Sequence, residues 1–175
     1  MTTDWDASLV EIRSQRLRLK LFTAAHAEEV FAAITPAITH FMQWEPPRST
    51  EDFAEVWRAW LAPIVDGSDL HFVVRSVADD RCLGLVGLHA ATTERPELGI
   101  WIREDSQGRG IGREAVGAVA EWACERLDPK CFEYPVAETN LASRKVAGSL
   151  GGVVVGSRSN AKYRAVIYRI PNRRR

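Results

Sequence analysis

The sequence has little of what marks membrane, secreted or multidomain proteins. Its most apolar stretch, Cys82 to Leu88, is far too short to span a bilayer. Met1 to Val10 carries Asp4 and Asp6 and no apolar run, so it does not read as a signal peptide. Only 3 cysteines occur, Cys82, Cys124 and Cys131, with no CxxC and one left over in any pairing. That argues against a disulfide framework and for reduced thiols in a cytoplasm. The formal net charge is +0, so no overall field draws the chain to nucleic acid or to an anionic membrane. The arginines at 169, 173, 174 and 175 read as a solvated terminus. His26, His40, His71 and His89 stand apart with no ligand spacing, so no metal site is expected. No repeat, low-complexity segment or Pro/Gly-rich linker divides the 175 residues, a length that suits one domain with its own core. A single domain over 1–175 is expected, with 1–12 and 171–175 as flexible ends.

What is present is a clear alternation of elements. Arg16 to Phe22 alternates apolar and basic residues, as an edge-type strand does. A helix should follow Thr23, with Ala27, Val30, Phe31 and Ile34 at helical spacing before Pro36 stops it. A second helix should begin near Ser49 or Thr50 and end at Asp66-Gly67. Its stripe is Phe53, Val56, Trp57, Trp60, Leu61 and Ile64. Strands are predicted at Leu70 to Val77, Cys82 to Ala90 and Glu97 to Ile102, the first two joined by a short hairpin turn. Gly112 to Leu127 reads as a helix, Cys131 to Ala137 as a strand, and Thr139 to Leu150 as a helix ended by Gly151-Gly152. Val153 to Gly156 and Tyr163 to Ile170 complete the order as a hairpin. This is an α/β pattern with a mixed sheet.

The chemistry concentrates between Glu97 and Ala115. A strand runs through Arg103 to Ser106 into Gln107-Gly108-Arg109-Gly110-Ile111-Gly112 and directly into a helix. Glycines let backbone N–H groups turn toward a ligand, and a helix start adds unpaired N–H groups and partial positive charge. With Arg109 and Arg113 beside it, the loop suits an anionic phosphate, a diphosphate best. It is not a Rossmann fingerprint, because the third glycine comes one residue too soon, and no Walker GK[ST] exists in the chain. The competing reading is a glycine-rich turn that only caps a helix.

Gln107-x-x-Gly110-x-Gly112 resembles the Q/R-x-x-G-x-G/A pyrophosphate motif of the GNAT superfamily of N-acetyltransferases. Glu97-Leu98-Gly99-Ile100-Trp101-Ile102 and Gly110 to Ala115 are similar to the ELGYW and GxxxEA stretches of its RimJ/RimL branch, which acetylates ribosomal-protein N-termini. Asn140-Leu141-Ala142-Ser143 resembles that branch's N-x-x-S motif, and Trp44-Glu45-Pro46-Pro47 its W-x-P region. The four motifs occur in order over Arg16 to Ile170. Departures are Gly148 to Gly152 in place of Glu-Lys-x-Gly-Phe, and Gln107 in place of a basic residue.

The resemblance implies a mostly antiparallel twisted sheet of about seven strands, splayed at the cofactor site and flanked by about four helices. It also implies acetyl-CoA as co-substrate. Backbone groups of Ile100, Trp101 and Ile102 would pair with the pantetheine arm and polarise the thioester. Gln107, Gly108, Arg109, Gly110, Ile111, Gly112 and Arg113 would hold the pyrophosphate. Glu97, on one strand face with Gly99 and Trp101, is the candidate general base, with Glu94 a weaker competitor. Asn140 would bond the cofactor or cap its helix. Ser143 would protonate the thiolate, no tyrosine being present in that helix. Trp44 and Glu45 are candidates to line the acceptor pocket.

The acceptor implied is a protein or peptide N-terminal amine, whose pKa of about 7.7–8.0 makes it easier to deprotonate than a lysine at about 10.4. A small-molecule amine (polyamine, amino acid or antibiotic) is the alternative within the same chemistry. A non-catalytic acyl-CoA sensor is the alternative outside it. The sequence permits a homodimer and offers no nucleic-acid or membrane partner.

Overall fold

The computed structural model describes residues 5–174; the remaining residues of the expected flexible ends, 1–4 and 175, lie outside the described part. Eight strands form one sheet in the order β1-β2-β3-β4-β5-β6-β8-β7. They are β1 (Glu11–Arg13), β2 (Leu17–Leu21), β3 (Leu70–Ser76), β4 (Cys82–His89), β5 (Glu97–Ile102), β6 (Cys131–Ala137), β7 (Val153–Ser159) and β8 (Arg164–Pro171). The helices are α1 (Ala27–Ala33), α2 (Pro36–Thr39), α3 (Thr50–Asp66), α4 (Ile111–Arg126) and α5 (Leu141–Ser149).

Three expectations are corrected. Leu17–Leu21 is not an edge strand, because β1 pairs with it outside. β1 lies partly within the stretch expected to be flexible, and only one of its three residues, Ile12, is buried, so it carries no alternation to read. Pro36 does not merely stop a helix. It is the first residue of α2, whose cap Thr35 accepts from Ile38 N–H, the position where proline's missing donor costs nothing. Val56, placed on the apolar stripe of α3, is 44% exposed. At the other end of the chain, β8 runs to Pro171, and buried Asn172 donates to the Pro129 carbonyl at 2.8 Å.

β4 is the centre of the sheet. Residues 82–88 are all buried, which explains its near-continuous apolar run. Helices cover both faces. Trp122 of α4 packs edge-on against Phe72 of β3 at 5.5 Å. Alternation along β3 turns the neighbouring His71 to the opposite face, where Trp60 of α3 stacks on it at 4.2 Å. Ser49 caps α3, accepting from Asp52 N–H at 3.1 Å, and Gly67 closes it with φ 75°.

The feature that positions the site is a failed pairing. Among the described residues β5 and β6 are the one parallel pair, and they share a single register position, Glu97 with Glu133. Glu133 N–H donates to the Pro96 carbonyl at 3.0 Å. Alternation then turns the backbone of residue 135 toward β5 as well, and residue 135 is proline. The next rung has no N–H to use, so the ladder stops and the strands part. The missing donor does not disturb the other edge, where Pro135 stays in antiparallel register with Ile167 of β8.

Candidate active site

Beyond that last rung, β5 keeps its full pairing with β4 and presents its other edge to an opening. Arg103 N–H donates to the Leu83 carbonyl. By alternation, Trp101 also directs its backbone to β4, where it is in register with Leu85, whereas Ile100 and Ile102 direct theirs to the opening. Of the three backbones expected to meet a pantetheine arm, two are therefore available, and Trp101 is corrected to a strand-pairing role. The Ile102 carbonyl is also taken, accepting from Gln107 Nε2 at 2.8 Å. Gln107 thus closes the turn at the end of β5 instead of projecting its side chain toward a phosphate.

The loop itself has the geometry that its composition suggests. Gly108 and Gly110 both have positive φ, 71° and 78°. Gly110 is the N-cap of α4 and offers no side-chain cap, so the first-turn N–H groups of Ile111, Gly112 and Arg113 keep their capacity for an anion. Gly108, Arg109, Gly110 and Arg113 are exposed and Ile111 is buried. A Cβ on Gly112 would stand in ordinary contact, 3.6 Å from Ile100 Cδ1 and 3.7 Å from Val146 Cγ2, so the start of α4 lies beside β5 and α5 with room for a methyl group.

Arg16 and Glu114 hold the loop from behind. Arg16 Nη1 donates to the Arg109 carbonyl at 3.0 Å and Arg16 Nε to Glu114 Oε2 at 2.7 Å. Ser14 and the Arg16 amide also donate to Glu114. Burial works against the charge of Glu114, yet these bonds outweigh it and hold the carboxyl below its usual range. The glutamate of the GxxxEA stretch therefore anchors the loop to the turn between β1 and β2.

On the far side of the opening stands α5. Asn140 Oδ1 accepts from Ser143 N–H at 3.1 Å, the capping role, which leaves its amide nitrogen for another partner. Ser143 Oγ lies 2.8 Å from the hydroxyl of Tyr134. Burial pushes that phenol up to about 12, the Ser143 bond pulling the other way, so Tyr134 is a protonated donor at neutral pH. The helix itself contains no tyrosine; this one comes from β6. The signal was the alternation Phe132, Tyr134, Val136, all buried.

The acceptor-side carboxylates are less free than expected. Both oxygens of Glu97 accept from Arg158 of β7, at 2.9 and 3.0 Å, so its carboxylate faces a guanidinium. The pair ties β5 to the β6–β8–β7 half of the sheet across the opening. Glu45 is paired with Lys162 at 2.7 Å, and Lys162 also donates to the carbonyls of Trp44 and Thr39. Trp44 is 37% exposed, and its loop is fastened to the β7–β8 turn. Glu94 pairs with Lys130 at 2.7 Å.

The histidines, isolated in sequence, are not isolated in space. Asp69 lies 2.9 Å from His71 Nε2 and 3.0 Å from His89 Nδ1, and the donor atoms of the three side chains fall within 4.8 Å of one another. The expectation that the four histidines stand apart is corrected for His71 and His89. Spacing could not reveal it, because His71 and His89 sit on neighbouring antiparallel strands. All three cysteines are free, and no described helix is long and apolar enough to cross a membrane.

The sheet therefore opens after one parallel rung, with a glycine loop feeding a helix at its mouth. The family model described as acetyltransferase (GNAT) domain matches residues 16–153. The chain belongs to this family and is an acetyltransferase. Among solved structures, RimL, a ribosomal L7/L12 α-N-protein acetyltransferase in complex with coenzyme A, is similar at 17% identity with a TM-score of 0.81. That match covers 93% of this chain and 98% of the other. A ribosomal-protein-S5-alanine acetyltransferase from Vibrio fischeri is similar at 20% identity and a TM-score of 0.78, covering 94% and 97%. At these identities the likeness is one of fold. No curated protein sequence matches the chain.

Proposed function

We propose that this acetyltransferase uses acetyl-CoA to acetylate a primary amine, and that the amine is a protein or peptide N-terminus, as in the RimJ/RimL branch. The observation that carries the cofactor reading is the loop: two glycines at positive φ turn it onto the uncapped start of α4, beside exposed Arg109 and Arg113. The pyrophosphate would lie on those amides. The thioester arm would enter the opening, where Ile100 presents its backbone edge and Ile102 its N–H, the Ile102 carbonyl being held by Gln107. Coenzyme A in the RimL complex supports this reading. The three free cysteines suit a cytoplasmic setting.

Acetyl transfer forms a C–N bond to the thioester carbon and breaks the C–S bond. The departing thiolate needs a proton, and Ser143, backed by Tyr134, is arranged to relay one. Glu97, bound bidentately by Arg158, is assigned the role of holding the two halves of the sheet in position. Trp44, on a loop pinned by Lys162, borders the acceptor side.

The test is thiol release from acetyl-CoA against a panel of peptides and small amines. The expected result is turnover with peptides bearing free N-termini and none once they are blocked. Turnover confined to polyamines, amino acids or antibiotics would replace this acceptor by a small molecule. Acetyl-CoA at about 100 times its Kd should raise apparent stability by about 2.7 kcal/mol in a thermal melt. A flat response would refute the cofactor reading. Ser143→Ala should lower kcat by about 100-fold with little change in KM for acetyl-CoA. An unchanged kcat would remove Ser143 from the proton path.

A further inference from the structure

We propose that His89, oriented by Asp69, is the base that takes the proton from the acceptor amine. The proposal rests on the acetyl-transfer reading above and names the group that reading leaves open, since both oxygens of Glu97 are committed to Arg158.

The geometry starts with the sheet. His89 is in register with Glu97, and Gly87 with Gly99, so these four residues share one face of β4 and β5. Gly99 is two residues past the last β5–β6 rung and therefore lies at the opening. A Cβ on Gly87 would come within 2.5 Å of His89 Nε2, and one on Gly99 within 3.7 Å. The Nε2 end of the imidazole thus sits over Gly87, a position that any side chain at residue 87 would block, and Nε2 also approaches Gly99, where the strands part. His89 keeps 40% of its side-chain surface exposed.

The other ring nitrogen is held. Nδ1 lies 3.0 Å from each oxygen of Asp69. A carboxylate only accepts, so Nδ1 carries the proton and Nε2 the lone pair. Asp69 is itself fixed from the other side by His71 Nε2 at 2.9 Å, whose ring is clamped on Trp60. An acid–imidazole pair of this kind fixes the tautomer and stabilises the imidazolium once formed.

The charged and titratable groups around His89 are Asp69 before β3, His71 on β3, Glu97 on β5 and, through Glu97, Arg158 on β7. The Asp69 hydrogen bond raises His89 above its usual value; burial opposes this, and the Asp69 and Glu97 charges add to it. Burial, against the pull of Asp69, lowers His71. Burial of Asp69 is outweighed by bonds from the two rings, which hold its carboxyl well below the usual range. These directions favour a carboxylate on Asp69 and make His89 a stronger base than His71.

In the proposed step the ammonium gives one proton to His89 Nε2, directly or through one water, and the freed lone pair forms the C–N bond. As the C–S bond breaks, the nitrogen's second proton leaves and the thiolate is protonated. Ammonium and thioester thus yield amide, thiol and one proton, which His89 passes to solvent.

The experiment compares wild type, His89→Gln, His89→Ala and Asp69→Asn for thermal melting, acetyl-CoA Kd, kcat against pH, and nitrogen-15 titration of the histidine rings. Both His89 variants should lose at least about 100-fold in kcat, with Kd unchanged and activity still climbing with pH where the wild type levels off. Asp69→Asn should move the acidic limb of the wild-type profile to lower pH. A full kcat in either His89 variant, or an acidic limb that does not move in Asp69→Asn, would overturn the assignment while leaving acetyl transfer intact. Ring titration tests the assignment without an acceptor: a neutral His89 protonated on Nε2 overturns the proposal even if no amine is turned over. Failure of the wild type to bind acetyl-CoA would instead count against the function proposed above.

Discussion

Exchanging Gly110 for aspartate should abolish acetyl-CoA binding, read as loss of the ligand-induced rise in melting temperature. Gly110 caps α4 at φ 78°, a conformation that costs a residue with a Cβ about 1–3 kcal/mol. Its Cβ would have room, the nearest atom being Arg16 Nη2 at 3.5 Å, so the fold should survive. The added carboxylate would then sit at the helix start, where it takes the amides and the partial positive charge that a pyrophosphate needs. Gly110→Ala carries the backbone strain without the charge and separates the two causes. A weakened but measurable shift in Gly110→Ala and none in Gly110→Asp is the expected pair. Normal binding by Gly110→Asp would put the phosphate elsewhere.

The second large effect is expected at Gly84, in the middle of the sheet and in register with Ile102. A Cβ there would lie 2.1 Å from the Trp101 carbonyl oxygen and 3.0 Å from Ile102 Cα, at φ 154°. The atoms it meets are backbone of β5, which cannot swing aside as a side chain can. Gly84→Ala must push β4 from β5 or unpair them. Strain and overpacking together predict a loss on the order of 3 kcal/mol. For a chain of this size that is a fall in Tm of roughly 6–12 °C. Because β5 forms one wall of the opening, acetyl-CoA affinity should fall as well. A variant that melts with the wild type would show that the two strands are less tightly opposed than their register implies.

Most element positions were legible in the sequence because their signals are local. Glu97–Ile102 and Cys131–Ala137 were expected to the residue, and Ser49 and Gly67 announced the ends of α3. β1 was not legible, since three residues with one buried side chain carry no pattern. The proline in β6 was in plain view. Its consequence, an opened sheet, appears only once β6 is known to run parallel to β5 and residue 135 is known to face it.

The candidate site divides along the same line. The glycine loop and the start of α4 are contiguous, and backbone freedom, N-terminal amides and nearby arginines are fixed by residue type within a few positions. The sequence by itself therefore determined the glycine loop at the start of α4 and, through resemblance, the family. The base, the proton relay and the state of Glu97 depend on register between distant segments. Asp69 meets His89 across 20 residues, Glu97 meets Arg158 across 61, and Ser143 finds its tyrosine on the preceding strand. A shift of one residue in any of these strand pairings would turn the side chains to opposite faces and dissolve the constellation. Only the tertiary structure could decide them, because side-chain chemistry at a cleft is set by which strands lie side by side.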